Sequence, residues 1–134
     1  QAAPLREVPP PRLRVLFLHG GASDGALART ILTVTGWVDG LSSTLEFVTC
    51  TGPHHNEADP ATFGAFAARG LYDIHRGYKG WRVPTLSSNA AWVAATGAPQ
   101  SEPEMTSAWA ESVAAVQRAW TSSGPFDAVG GVCE

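Results

Sequence analysis

The residues best placed to do covalent chemistry close the chain, where Gly130-Gly131-Val132-Cys133-Glu134 follows directly on an apolar stretch. A buried strand ending in Gly-x-nucleophile is the pattern of a nucleophile elbow, a sharp turn that carries the reactive side chain at its tip. Glycine is required where that turn leaves no room for a Cβ. Gly131 stands at the first glycine position and Cys133 at the nucleophile position. A cysteine thiolate is a competent nucleophile once a base has taken its proton. Attack on a carbonyl builds negative charge on its oxygen, and backbone N–H groups aimed at that point stabilise it. Such an elbow takes one of these donors from the loop after an earlier strand. The run Leu16-Phe17-Leu18-His19-Gly20-Gly21 reads as that strand and that loop.

Other reactive side chains carry less. His54-His55-Asn56-Glu57 with Asp59 offers metal-ligating residue types, but adjacent histidines project in different directions and no standard zinc spacing occurs. The expectation is a solvated loop, no metal and no cofactor, and His75 is not expected to act as a base. Cys50 and Cys133 are the two cysteines, too few for a disulfide framework. If their strands flank a common neighbour, they lie roughly 9–10 Å apart, beyond the Cα limit of about 7 Å for a disulfide. Both are expected to be free thiols.

The elements that must position these residues follow from periodicity. Leu13–Leu18 is a short apolar run that fits a buried parallel strand. Ser23 or Asp24 can cap a helix carrying Leu27, Ile31 and Leu32 inward, with Gly36 at its end. Leu45–Cys50 is a second strand stopped by Gly52-Pro53. Strand, helix and strand at this spacing make a βαβ unit. Residues 53–103 are irregular and aromatic-rich, with a short helix expected from Pro60 through Phe63 and Phe66 to Gly70. Met105, Trp109, Val113, Val116 and Trp120 recur at steps of four, four, three and four, which predicts one inward apolar face on a helix over 104–121. Gly124-Pro125 ends it, and residues 127–132 form the third strand. The predicted fold is α/β, a parallel sheet of strands 13–18, 45–50 and 127–132 in the order 2-1-3.

At this point the chain resembles the FSH-type serine hydrolase family of α/β-hydrolases. The resemblance rests on Val15-Leu16-Phe17-Leu18-His19-Gly20, on Asn89-Ala90-Ala91-Trp92, on the long helix, and on Gly124-Pro125-Phe126-Asp127-Ala128-Val129-Gly130-Gly131-Val132-Cys133. It covers residues 13–134 and is loose between 53 and 88. It implies hydrolysis of small esters, thioesters or related acyl substrates. By the same resemblance Cys133 takes the nucleophile position, held by serine in the family, while Glu134 and Gly21 lend their backbone amides to the oxyanion hole. His19 and Gly20, with Gly131, belong to the structural motif, and His19 is not assigned as the base. In this fold the acid and histidine follow the nucleophile in chain order. The 134 residues are therefore expected to be an incomplete hydrolase domain, residues 12–134, without turnover of its own.

Composition sets the remaining bounds. Twelve acidic residues outnumber nine basic ones, for a net charge of −3, so no nucleic-acid footprint is present. No stretch approaches the roughly 18 apolar residues of a membrane span, and the expectation is a soluble protein of unassigned compartment. The only methionine is Met105 and the first residue is Gln1, which suggests a processed or incomplete N-terminus. Pro4 and Pro9-Pro10-Pro11 make residues 1–11 a Pro-rich arm. A three-stranded sheet leaves an open edge that needs cover. Two readings follow: an acyl hydrolase acting through Cys133 on a small substrate, or a catalytically inactive hydrolase-fold subunit whose open edge is covered by a protein partner.

Overall fold

A computed structural model describes residues 2–56, 60–70, 72–81 and 102–132. The main sheet is fully parallel, with β1 (Leu13–Leu18) between β2 (Leu45–Cys50) and β5 (Ala128–Gly131), in the order β2-β1-β5. This is the predicted order, with the last strand two residues shorter than the sequence suggests: Asp127 precedes it and Val132 follows it. Residues 2–12 carry no regular structure and are exposed.

Asp24, with an extended backbone, caps α1 (Gly25–Val34) by accepting the Leu27 N–H at 2.8 Å. Gly36 at φ 82° follows, then a single turn α2 (Trp37–Gly40) that the sequence did not reveal. The buried face of α1 is Gly25, Ala28 and Leu32. Ile31, predicted inward, is 49% exposed, because one residue along a helix turns the side chain by about 100°.

The pleat separates two faces of the sheet. Val15 and Phe17 share one with Phe47 and Thr49 by register, and there the Phe47 ring meets Phe17 and Trp37. The opposite face carries Arg14, Leu16 and Leu18 with Glu46, Val48 and Cys50. Leu16 is fully buried. On this second face the Arg14 guanidinium bonds Glu46 at 3.1 Å and the carbonyls of Ser123 and Pro125 at 2.6 and 2.9 Å. It thereby ties β1 to the end of the long helix, which runs from Glu102 to Ser123.

The described parts of the middle carry regular structure that the composition did not suggest. His54–His55 forms β3 and Lys79–Gly80 forms β4, a small antiparallel sheet. Between them α3 (Pro60–Ala68) ends two residues before Gly70, which at φ 70° turns the chain near the end that the sequence predicted. The solvated-loop expectation for His54 is corrected. Its side chain is only 10% exposed, and its Nε2–H donates to the Ala108 carbonyl at 2.8 Å.

The long helix, α4 (Glu102–Ser123), corrects a second expectation. Among its described side chains Ala108 and Ser112 are buried, while Trp109 and Val113 are 56% and 53% exposed and Trp120 is 39% exposed. Small side chains let the helix approach closely: the Ala108 carbonyl takes the His54 bond and the Ser112 hydroxyl donates to the Trp81 carbonyl. The bulky stripe one residue further on is thereby turned away from the contact. Met105, on the predicted stripe, lies outside the residues whose side chains are described, as does the Asn89–Trp92 segment outside the described residues altogether.

Candidate active site

The carboxyl edge of the sheet brings two glycine-containing segments together. Leu18, the last residue of β1, pairs with Cys50 on one side and with Gly131 on the other. The His19-Gly20-Gly21 loop therefore leaves the sheet beside the Gly131-Val132 turn, and Val132 N–H donates to the Leu18 carbonyl at 3.3 Å. A Cβ on Gly131 would stand 3.3 Å from that same carbonyl oxygen, tighter than backbone normally accepts. Cys133 and Glu134 lie outside the described residues.

His19 is 1% exposed and both of its ring nitrogens are engaged by backbone. The Gly52 N–H donates to Nε2 at 2.9 Å, and Nδ1 lies 2.7 Å from the Gly20 carbonyl. Because an amide can only donate and a carbonyl only accept, this arrangement assigns the proton to Nδ1. The ring also lies against Trp81 at 5.2 Å between centroids, and the Trp81 indole N–H donates to the His19 carbonyl at 2.9 Å. Held in this way, His19 joins the end of β1 to the segments after β2 and β4. Neither nitrogen is left for proton transfer.

Beyond Gly21 the loop is constrained residue by residue. Ala22 adopts φ 48°, the left-handed region, although it is not glycine. Such a conformation costs about 1–2 kcal/mol and persists only where the surroundings over-determine it. Here the Tyr72 hydroxyl donates to the Ala22 carbonyl. Ser23 forms an antiparallel bridge with Lys79, and Asp24 receives Arg76 at 2.6 Å on its second oxygen. Among the described residues the N–H groups of Gly21 and Ala22 have no hydrogen-bond partner.

Tyr72 is stacked between Phe63 and Tyr78, at 4.8 and 4.6 Å between centroids. Burial, with Tyr78 and Asp24 beside it, raises the pKa of its hydroxyl above the usual tyrosine range, so Tyr72 is a donor and not a base. Cys50 is a free thiol whose pKa burial raises. His75 sits on an exposed turn where its N–H donates to Asp73. Among the described residues no group of three or more His, Cys, Asp and Glu side chains is placed to hold a metal ion. No described helix is long and apolar enough to cross a membrane.

Sequence reasoning missed Gly52, Ala22, Tyr72 and Arg76. Gly52-Pro53 read only as a strand stop, and nothing local marks an alanine for the left-handed region. The aromatic content of residues 53–103 was visible, but not that Tyr72, Tyr78 and Trp81 would gather at this loop.

A parallel sheet in the order β2-β1-β5 with helices, and two glycine segments meeting at its carboxyl edge, defines an α/β protein and is consistent with part of a hydrolase fold. Within that class the particular family is shown by comparison: a model of the Serine hydrolase (FSH1) family matches residues 10–133, nearly the whole chain, and the protein belongs to that family. No curated protein and no solved structure matches it significantly.

Proposed function

We propose that residues 12–134 carry the nucleophile and oxyanion part of an acyl hydrolase, following a Pro-rich arm over residues 1–11. Its substrates are small esters or thioesters. The Cys133 thiol gives its proton to a base and attacks the acyl carbonyl carbon, the carbonyl π electrons move to oxygen, and the alcohol or thiol leaves with that proton as the carbonyl re-forms. Water then releases the acid and regenerates the thiol. The Gly21 and Glu134 amides meet the oxyanion in both steps. His19, Gly20 and Gly131 shape the backbone around them. The observation that carries this reading is the Leu18–Gly131 pairing, which sets the loop, whose Gly21 N–H has no partner among the described residues, beside the strand that leads into Cys133.

The base is not drawn from His19, whose nitrogens are both occupied. In this fold acid and histidine follow the nucleophile in chain order, and the test is made on the protein as it occurs naturally. There a p-nitrophenyl ester or an acyl thioester is expected to acylate Cys133, read by intact mass and peptide mapping, and Cys133→Ala is expected to abolish it. A folded full-length protein with unlabelled Cys133 would sink the enzyme reading.

A second reading, a hydrolase-fold subunit without turnover, is favoured by one feature. β5 pairs on one side only among the described residues, and Val129, Val132, Trp109 and Val113 are each at least half exposed. An inert Cys133 together with co-purification of a stoichiometric protein partner is the outcome that supports it.

A further inference from the structure

Four residues of one stretch of chain make contacts on the six-residue loop from His19 to Asp24, beside the bonds that Gly52 and Leu27 make to it. From residues 72–81, Tyr72 donates to the Ala22 carbonyl and Arg76 pairs with Asp24 at 2.6 Å. Lys79 exchanges two backbone hydrogen bonds with Ser23, at 2.8 and 3.4 Å, and Trp81 donates to the His19 carbonyl at 2.9 Å. The stretch is itself braced. Tyr72 is stacked between Phe63 and Tyr78, the Arg76 guanidinium lies 5.6 Å above the Tyr78 ring, and Tyr78 is 1% exposed. The loop it grips contains a non-glycine residue at φ 48° and an amide with no partner at Gly21 among the described residues.

From this we infer that residues 72–81 form a strap that fixes the oxyanion loop in its working shape, with Tyr72 and Arg76 as positioning residues that never touch the substrate. The inference rests on the acyl-transfer reading for its consequence in catalysis, but not for the geometry of the strap. An oxyanion donor acts only when it is aimed at the place where charge develops, and small displacements remove its effect. A left-handed alanine released from its anchors relaxes toward the ordinary regions of backbone space. That relaxation turns the neighbouring Gly21 amide with it. The Tyr72 hydroxyl is the anchor on Ala22 itself, so it is the contact whose loss matters most.

The test compares full-length wild type with Tyr72→Phe, which keeps the stacked ring and deletes only the donor, and with Arg76→Gln. Cys133 is challenged with two reagents. A p-nitrophenyl ester needs the oxyanion donors, whereas iodoacetamide alkylates the thiolate without forming an oxyanion. Amide exchange of peptides covering residues 19–24 is followed alongside. In Tyr72→Phe the expected result is an acylation rate lower by about tenfold, with alkylation unchanged. Exchange at 20–23 becomes faster while β1 and α1 are unaltered. Arg76→Gln is expected to change the same quantities in the same direction by a smaller factor. Unchanged exchange at 20–23 in both variants, or acylation and alkylation falling together, overturns the strap. Faster exchange in a protein whose wild-type Cys133 is never acylated keeps the strap and rejects the acyl-transfer reading.

Discussion

Replacing His19 with phenylalanine separates a structural histidine from a catalytic one. The ring is 1% exposed, and phenylalanine fills nearly the same space while offering neither donor nor acceptor. The Gly52 N–H, which bonds Nε2 at 2.9 Å, and the Gly20 carbonyl, 2.7 Å from Nδ1, then lose their partners. Both glycines are buried, so water does not replace the lost bonds without rearrangement. A buried group left unsatisfied costs about 1–3 kcal/mol. Two of them, offset in part by the more apolar ring, give an expected loss of about 2–4 kcal/mol. That corresponds to a fall in Tm on the order of 10 °C. The assay is urea unfolding of full-length protein followed by tryptophan fluorescence, with the slope against urea unchanged so that the shift in midpoint reports stability. A general base behaves in the opposite manner: its removal costs about 10²–10⁴ in rate and little stability. A His19→Phe protein within about 0.5 kcal/mol of wild type, the usual range for a surface substitution, but slowed a hundredfold in acylation would refute the structural assignment.

Three further outcomes follow from single contacts. Asp24→Ala removes both the helix cap and the Arg76 pair and is expected to cost about 1–2 kcal/mol, whereas Asp24→Asn keeps the Leu27 N–H bond and costs less, by chemical denaturation. Gly131→Ala places a methyl 3.3 Å from the Leu18 carbonyl, and the strain is expected to cost about 1–2 kcal/mol and to slow Cys133 acylation. Because burial raises the Cys50 pKa above 9.0, its neutral thiol stabilises the folded state at neutral pH. That contribution is lost as pH rises from 9 through the folded value, so alkylation of Cys50 stays slow at pH 8 and any stability loss from this group appears only above pH 9.

The sheet was legible because apolar runs and glycine stops are local properties. Leu13–Leu18 and Leu45–Cys50 were located to the residue, and the order of the three strands followed from one βαβ unit and one crossover. The turned face of α4 was not legible. Met105, Trp109, Val113, Val116 and Trp120 recur at regular helical steps, yet the buried side chains among those described on this helix are Ala108 and Ser112. Periodicity reports where apolar side chains lie, and close approach through small ones is decided by the partner surface. The same limit applies to the site. Glycine positions at the carboxyl edge were visible in order, but His19, Gly52 and Trp81 meet across 33 and 62 residues of sequence separation. No short-range pattern encodes those meetings.

The loop at that edge is held from two independent directions, and the energies explain why both are needed. On the sheet side, pairing of Leu18 with Gly131 fixes where the loop begins and where the turn toward Cys133 begins. That pairing says nothing about the conformation of Ala22, whose φ of 48° stands against it by about 1–2 kcal/mol. A typical hydrogen bond contributes a net of about 0.5–1.5 kcal/mol, so a single anchor on Ala22 roughly balances the strain and no more. The bridge to Lys79, the Asp24 cap with its Arg76 partner, and the Trp81 bond to His19 supply the excess. The sheet thus sets the distance between the two halves of the site. The orientation of the Gly21 amide belongs to the strap, which explains why the aromatic middle of the chain is ordered around Tyr72 and Tyr78.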